Sequence, residues 1–524
     1  MRYVTSEQRG LAIAALVFVL VSSVGLAAFA QGSRLDEADA VREAMANNPS
    51  LRATLYDYQQ AHQSVLAEES LYVPMLQLDT GVTHSESPRL TGDSTTVGSS
   101  DSIDVGAELS HAFPWGTAFA FRLEGSRSSS ASQYAAGEDR LVMTGPGYSL
   151  LGRLSVTQPL LRGFGLDVGE SGLRQAELSR TAAERARDRE ASEMLRDVLV
   201  AYWELWYADE ALSIERYAAS LADRRLEDAK RRIELGASAP VDALSFETRA
   251  AELEQSVLSS YSQWRQQSLQ MGLMLGRSAS AAVDLHAAAD AVPSVPDRDR
   301  AQVLQAAVEE SQVVAQQQVQ LEIARERAVV AGESERPRLD LEAYLQTQGL
   351  GNEQVPPALE QFGTFGAVSA HVGLVFQLPL SGARHSAQRR ASEASAEAAK
   401  ERLYGATQQA ETDAAKELIN LEQAKQRAGL AAAMAEVAER NAGAQQKRYA
   451  QGDAILLEVH EAEDALTRAR LSVQRARVDA VQTSIRIDHM TGELLRRYGG
   501  AIPAKPIRSA RWIHQPALTH AGRF

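Results

Sequence analysis

The chain contains no cysteine. It therefore has no disulfides, and packing along its 524 residues must hold it together. Beyond Ala30 no apolar run reaches the ~18 residues of a membrane-crossing helix. Aromatics make up only 6% of the residues, while alanine is abundant, which favours long helices over a sandwich core. Acidic residues outnumber basic ones, 68 to 54, for a net charge of -14, so nucleic acid is excluded as a partner. The ten histidines are scattered, with no metal-ligand spacing and no nucleophile elbow. Gly163-Phe-Gly165-Leu-Asp-Val-Gly169 opens a helix as a dinucleotide loop would, but its spacing is one residue too long and no βαβ unit surrounds it. The sequence thus carries no catalytic residues, cofactor site or metal site, and it is not expected to encode an enzyme.

What is present begins with an export signal. Arg2 and Arg9 precede an apolar run, Leu11 to Leu26, that ends in the small-x-small site Ala28-Phe29-Ala30. Residues 1–30 read as a signal peptide; the alternative, a membrane anchor, fits that ending poorly.

The remainder is organised around a duplication. Gly236 and Gly452, Glu247 and Glu463, and Gly276 and Gly492 are each separated by 216 positions. A constant offset through a turn and the helix after it marks an internal repeat. The first copy spans 31–283, a linker follows at 284–299, the second copy spans 300–496, and a basic tail, expected to be flexible, occupies 497–524.

Each copy reads as short helix, strands, long helix, glycine turn, short helix. Leu35 to Leu71 has apolar positions near a period of 3.6 and reads as one helix, as does Ala301 to Val330. Between Pro74 and about residue 160 the period changes to two, over Leu76–Val82, Ile103–Leu109, Phe119–Leu123 and Leu150–Val156. The polar stretches 84–101 and 126–147 read as loops. In the second copy, residues 337–380 hold strands around Leu339 and over Val368–Phe376. Helical hairpins follow at about 167–277 and 384–492. Their first arms are proline-free and near 100 Å long, and their return arms near 50 Å. The two short helices of a copy sum to about the length of its long one, so end to end beside it they form a wall of even height. Such half-apolar strands fit a sandwich, a soluble barrel or a transmembrane barrel.

The copies differ in one respect. Pro74 and Pro159 are 85 positions apart, Pro337 and Pro379 only 42, so the first copy holds 43 more residues, room for one extra hairpin. The sequence leaves open whether that hairpin joins a wall or forms a plug.

The signal peptide, Asn48-Pro49-Ser50-Leu51, two Pro-x-Leu-x-Leu segments, Gln158-Pro159-Leu160-Leu161-Arg162-Gly163, the two glycine tips and the duplication together resemble the TolC-like outer membrane efflux proteins. The resemblance covers nearly all of residues 35–496. It implies an α+β membrane protein, a homotrimer in which protomers share a transmembrane β-barrel of twelve strands, four from each, above a long periplasmic α-helical barrel. It implies an exit channel in the outer membrane of a Gram-negative-type cell, its helical part in the periplasm, contacting lipid, a periplasmic adaptor and an inner-membrane pump. Small molecules would pass through it. A type I protein-secretion outlet with the same fold is the alternative, and a soluble periplasmic coiled-coil protein the more distant one.

By the family's pattern, acids six and nine residues after the second glycine ring the periplasmic entrance; here they are Glu458 and Glu461. Three apart, they share one helix face. Tyr449 would bond Asp242 and hold the entrance shut, while a basic residue usual two after the second glycine is replaced by Ala454. Leu235, Gly236 and Ser238, with Gln451, Gly452 and Asp453, would form the adaptor-docking tips. Phe113, Trp115, Phe119, Phe121, Phe362 and Phe365 are candidates for the lipid–water boundary, whereas Trp203 and Trp206, inside a long helix, are expected to pack.

Overall fold

A computed structural model describes residues 33–91, 94–135, 139–235, 240–282, 284–451 and 453–501. The expected signal peptide, Gly236, Ser238, Gly452 and the tail beyond residue 501 lie outside the described residues. The chain divides into two compact units, one of residues 33–57, 184–316 and 404–501, the other of residues 58–183 and 317–403.

In chain order the elements are β1 (Ser33–Leu35), α1 (Glu37–Asn47), α2 (Pro49–Glu69), β2 (Met75–Thr91), β3 (Ser94–Ala112), β4 (Ala118–Ala135) and β5 (Asp139–Pro159). After the single turn α3 (Leu166–Gly169) come α4 (Ser171–Glu234), α5 (Pro240–Met274) and β6 (Leu285–Ala287). The second copy holds α6 (Arg300–Glu309), α7 (Gln312–Ser334), β7 (Arg338–Asn352), α8 (Pro356–Gly363), β8 (Val368–Gln377), α9 (Ala383–Gln451), α10 (Leu456–Met490) and α11 (Glu493–Tyr498). The long arms α4 and α9 have 64 and 69 residues, roughly 95–105 Å at 1.5 Å per residue.

The first unit is helical. Its main core joins Val41, Met45 and Leu51 to Leu195, Tyr202, Trp203, Leu205 and Trp206 of α4, Met271 and Leu275 of α5, and Val478 and Ile485 of α10. Trp203 and Trp206 pack, as their position inside a helix implied. Residues 284–299, expected to be a plain linker, instead contribute β6, which pairs in parallel with β1. Trp206 Nε1 donates to the Ala289 carbonyl at 2.8 Å, and the Ala289 amide donates to the Tyr202 hydroxyl at 3.2 Å. The helix expected at Leu35–Leu71 is two helices. Asn48 precedes a proline, which disfavours helical backbone there, and its side chain accepts from the Ser50 amide at 2.9 Å as the cap of α2. In the second copy α6 and α7 are likewise separate. The tail expected from residue 497 begins later, because Arg497 and Tyr498 close α11. The Tyr498 hydroxyl donates to Glu37 at 2.9 Å, and burial, with the Glu37 charge, pushes its pKa up to about 12.

The glycines of the repeat explain themselves in this unit. Gly276 and Gly492 both end an arm at positive φ, +70° and +69°. A Cβ on Gly276 would meet the Asn47 carbonyl at 3.0 Å, and one on Gly492 the Glu310 carbonyl at 3.2 Å. In each copy, then, the return arm ends against the break between the two preceding short helices. Glycine is required twice over, by conformation and by approach.

The second unit is built on a six-stranded antiparallel sheet in the order β2-β3-β4-β5-β7-β8. The register aligns one apolar row across every strand, Leu76–Leu109–Phe121–Leu154–Leu345–Ala370. The next residues form a polar row on the other face, Gln77–Glu108–Arg122–Arg153–Gln346–Ser369. On that face Arg122 is paired with Glu124 at 2.9 Å, Asp79 at 3.2 Å and Glu108 at 3.4 Å. The stretches 84–101 and 126–147, expected to be loops, are largely strand. β2 and β3 stay paired from Met75↔Ser110 to Thr91↔Ser94, and β4 and β5 stay paired to Ala135↔Asp139. Serine and threonine on both faces erase the two-residue alternation without preventing the ladder.

The short helix α8 was not legible. It folds back on the apolar face, seated on small residues. A Cβ on Gly349 would stand 1.9 Å from the Ala358 carbonyl, and one on Gly152 would stand 2.9 Å from the Phe362 ring. The Gln361 side chain accepts the Leu350 amide at 2.8 Å.

The glycine-rich Gly163–Gly169 stretch is a seat for the β3–β4 turn. The Gly165 amide donates to the Trp115 carbonyl at 3.2 Å. A Cβ on Gly169 would lie 1.7 Å from the Pro114 carbonyl, and one on Gly116 (φ +95°) would lie 2.3 Å from that of Gly163. Phe113 and Trp115 stack at 4.6 Å in the same turn.

Candidate functional site

The tips of the two helical hairpins, α4–α5 and α9–α10, lie in the first unit and carry the expected entrance residues. Each hairpin is closed by an equivalent side-chain pair one 216-position step apart. Lys230 meets Glu247 at 3.2 Å, and the Gln446 amide donates to Glu463 at 2.8 Å. The hairpins are tied to each other by Arg225 with Glu463 and by Arg249 with Asp464. The Phe246 ring stands edge-on to His460 at 5.7 Å. Burial, followed by the positive charge of Arg249, lowers the His460 pKa below its ordinary value, favouring the neutral imidazole.

Between the tips is a cleft of about 230 Å³ lined by Arg225, Arg232, Phe246, Tyr449, Leu456 and Val459. Tyr449 is an exposed residue of its wall, and Asp242 is in the first turn of α5, with its side chain outside the described residues. Glu458 and Glu461 share a face of α10. Glu458 is partly covered and lies 3.9 Å from Arg448, whereas Glu461 is exposed and pairs with no described side chain. Leu235, Gln451 and Asp453 are exposed.

Residues that the sequence did not flag are the ones that organise the tip. Arg448 donates to the Asp453 carbonyl at 2.9 Å, fastening the second turn, and the same guanidinium faces Glu458. A basic group is therefore present even though Ala454 replaces the one expected. Arg225, Arg249, Asp464 and His460 form the tie between hairpins. Their signal was only a charged residue on each helix face, and facing pairs cannot be read until the helices are placed side by side.

The outer membrane efflux protein family model matches residues 303–493 of the chain. No curated protein matches it in sequence. Among solved structures it is similar to the outer membrane protein VceC from Vibrio cholerae, with TM-score 0.63 and 16% identity over 87% of this chain and 96% of that one. It is also similar to the CmeC outer membrane channel of Campylobacter jejuni, with TM-score 0.65 and 11% identity over 90% and 89% of the two chains. The open state of the MtrE outer membrane channel of Neisseria gonorrhoeae aligns with TM-score 0.59 and 14% identity over 90% of each. At such identities the shared property is the fold. The second copy of this chain thus resembles the outer membrane efflux protein family in sequence, and nearly the whole chain has the fold of the TolC-like outer membrane channels.

Proposed function

We propose that the protein is the outer-membrane exit channel of a tripartite efflux system, conducting small molecules without chemistry of its own. The observation that carries this reading is the six-stranded sheet with one continuous apolar and one polar face, on the same chain as two long helical hairpins. In lipid a sheet must close upon itself, because unpaired edge groups have no water to bond, and six strands are too few to enclose a pore. Closure therefore calls for further copies, here a homotrimer with the barrel in the outer membrane and the helices in the periplasm.

The hairpin tips then form the periplasmic entrance. Threefold symmetry gathers six carboxylates from Glu458 and Glu461, a ring that favours cations. Arg448 offsets part of the Glu458 charge, so Glu461 dominates. Tyr449, beside Arg232 in the cleft, bonds Asp242 in the shut state. The tips at Leu235, Gly236, Ser238, Gln451, Gly452 and Asp453 dock a periplasmic adaptor that is itself bound to an inner-membrane pump.

Ion conductance of purified protein in planar bilayers tests this. Wild type is expected to give a small, cation-selective conductance, and Glu458→Ala/Glu461→Ala to lose several-fold in selectivity. Unchanged selectivity in a conducting double variant sinks the entrance assignment. A folded preparation that stays silent even with Tyr449→Ala sinks the channel reading.

A further inference from the structure

The sheet has a property the family resemblance did not supply. The resemblance implies four strands from each protomer, but this chain presents six in one uninterrupted sheet. The additional strands are β3 and β4, which hold its interior. β3 pairs with β2 from Met75↔Ser110 to Thr91↔Ser94, and β4 pairs with β5 from Ala118↔Thr157 to Ala135↔Asp139. Removing them would leave β2 and β5 without their present neighbours, so they are not a plug resting inside a finished wall.

Three further observations place them in the wall. The apolar row runs through Leu109 and Phe121 at the height of Leu76 and Leu154, so their outward face meets the same surroundings as that of the other strands. Their opposite face supplies Glu108, Arg122 and Glu124 to the polar side, where Arg122 pairs with both acids and with Asp79 of β2. Their turn, Pro114-Trp115-Gly116, is hydrogen-bonded to the Gly165 amide and packs on Gly169 with no room there for a Cβ.

The sheet also has two free edges suited to each other. The strands alternate in direction and are even in number, so β2 of one copy runs antiparallel to β8 of the next. The most exposed apolar side chains of the sheet stand on these edges, Val82 at 80% and Val372 at 74%, whereas on the inner strands the highest values are 60% for Leu350 and 58% for Val105 and the lowest near 37% for Leu123. What would cover them is a neighbouring strand with its apolar face on the same side. A second copy of this sheet provides that.

We infer that three copies close an 18-stranded barrel, in which the extra hairpin widens the wall by half again over a twelve-stranded one. The inference rests on the trimeric channel reading above. Barrel diameter grows nearly in proportion to strand number. With strands 4.8 Å apart and tilted by about 40°, the backbone-to-backbone diameter rises from roughly 24 Å to roughly 36 Å. The lumen gains a belt in which each copy sets the carboxylates of Asp79, Glu108 and Glu124 around the guanidinium of Arg122, with Arg153 beside it on β5, three acids to two bases and so a net negative lining. The outlet is therefore sized for bulky neutral or cationic cargo, and the narrow point of the path is left to the helical entrance.

Single-particle imaging of the full-length wild-type protein in detergent tests this without any variant. The expected result is a threefold particle with 18 strands, β8 of each copy hydrogen-bonded to β2 of the next. A threefold particle with a twelve-stranded wall and the β3–β4 hairpin outside it overturns the inference and leaves the channel reading standing. A particle without threefold symmetry overturns both. A second readout uses the absence of native cysteine. Cysteines placed singly along β2 (Thr80→Cys, Val82→Cys) and paired with Ala370→Cys or Val372→Cys in β8 should include at least one combination that oxidises to a covalent trimer. If every folded combination stays monomeric under denaturing, non-reducing conditions, the edges do not meet and the inference fails.

Discussion

The two copies of the repeat agree at the helix ends and differ along the flanks. Gly276 and Gly492 take the same backbone conformation against the same kind of break, and Lys230–Glu247 is repeated as Gln446–Glu463. One step of 216 positions from buried Trp203, however, stands Ile419, and one step from Trp206 stands Glu422. Trp203 is 3% exposed and Ile419 54%. The first long helix is covered there by the segment around β6, while Ile419 in the second is left exposed. The insertion follows the same logic: the copy that holds β3 and β4 also holds Gly163–Gly169 to seat their turn, and the second copy has Ser381-Gly382-Ala383 instead. A duplicated sequence thus keeps the contacts made within each copy and diverges where the copies have different neighbours.

That contrast can be broken at measured cost, and the tryptophan comparison should give the largest effect. Trp203→Ala removes a fully buried ring and is expected to cost about 3–5 kcal/mol. Ile419→Ala, the equivalent change on an exposed face, should stay within about 0.5 kcal/mol. Thermal melts of the two variants in one detergent check this, and equal losses would show that Ile419 is covered by something in the assembled protein.

A smaller effect is expected at the strand–helix junctions. Gly169→Ala forces a Cβ against the Pro114 carbonyl and should cost about 1–3 kcal/mol, loosening the β3–β4 turn. Gly382→Ala, whose Cβ meets nothing within 4 Å, should be nearly neutral. Denaturation midpoints, with protease cutting near residue 115 as the local readout, separate the two. Equal sensitivity would deny the turn its seat.

The mildest contrast concerns acid. His460 in the second tip has Leu244 as its counterpart in the first. Around His460 stand Phe246, Arg249, Arg225, Glu463 and Glu252, and its pKa is lowered. A base whose pKa is lower folded than unfolded stabilises the fold fully above its unfolded pKa of about 6.5. That contribution fades as the pH falls from there toward the folded value. Tip opening, followed by amide hydrogen exchange around residues 446–463, should rise modestly between pH 7 and pH 5, and His460→Leu should flatten the change. An unaltered profile in that variant would assign the titration to another group.

Much of this was legible in the chain itself. Helical periodicity without proline fixed the long arms, since a 3.6-residue stripe needs no knowledge of its partner. Two-residue alternation located six strand segments, and the constant offset revealed the duplication. The glycine turns placed the hairpin tips, while the lock between Tyr449 and Asp242 and the ring of Glu458 and Glu461 came from family likeness and stand as proposals. Alternation marks a strand only where its two faces meet different surroundings, so the polar extensions of β2 to β5 looked like loops. β6, α8 and the Arg225–Glu463 tie depend on residues far apart in sequence, and no local pattern announces them. The tertiary structure alone decided that the extra hairpin enters the sheet. Its strands could pair with each other either way, and only the register with β2 and β5 makes them part of the sheet.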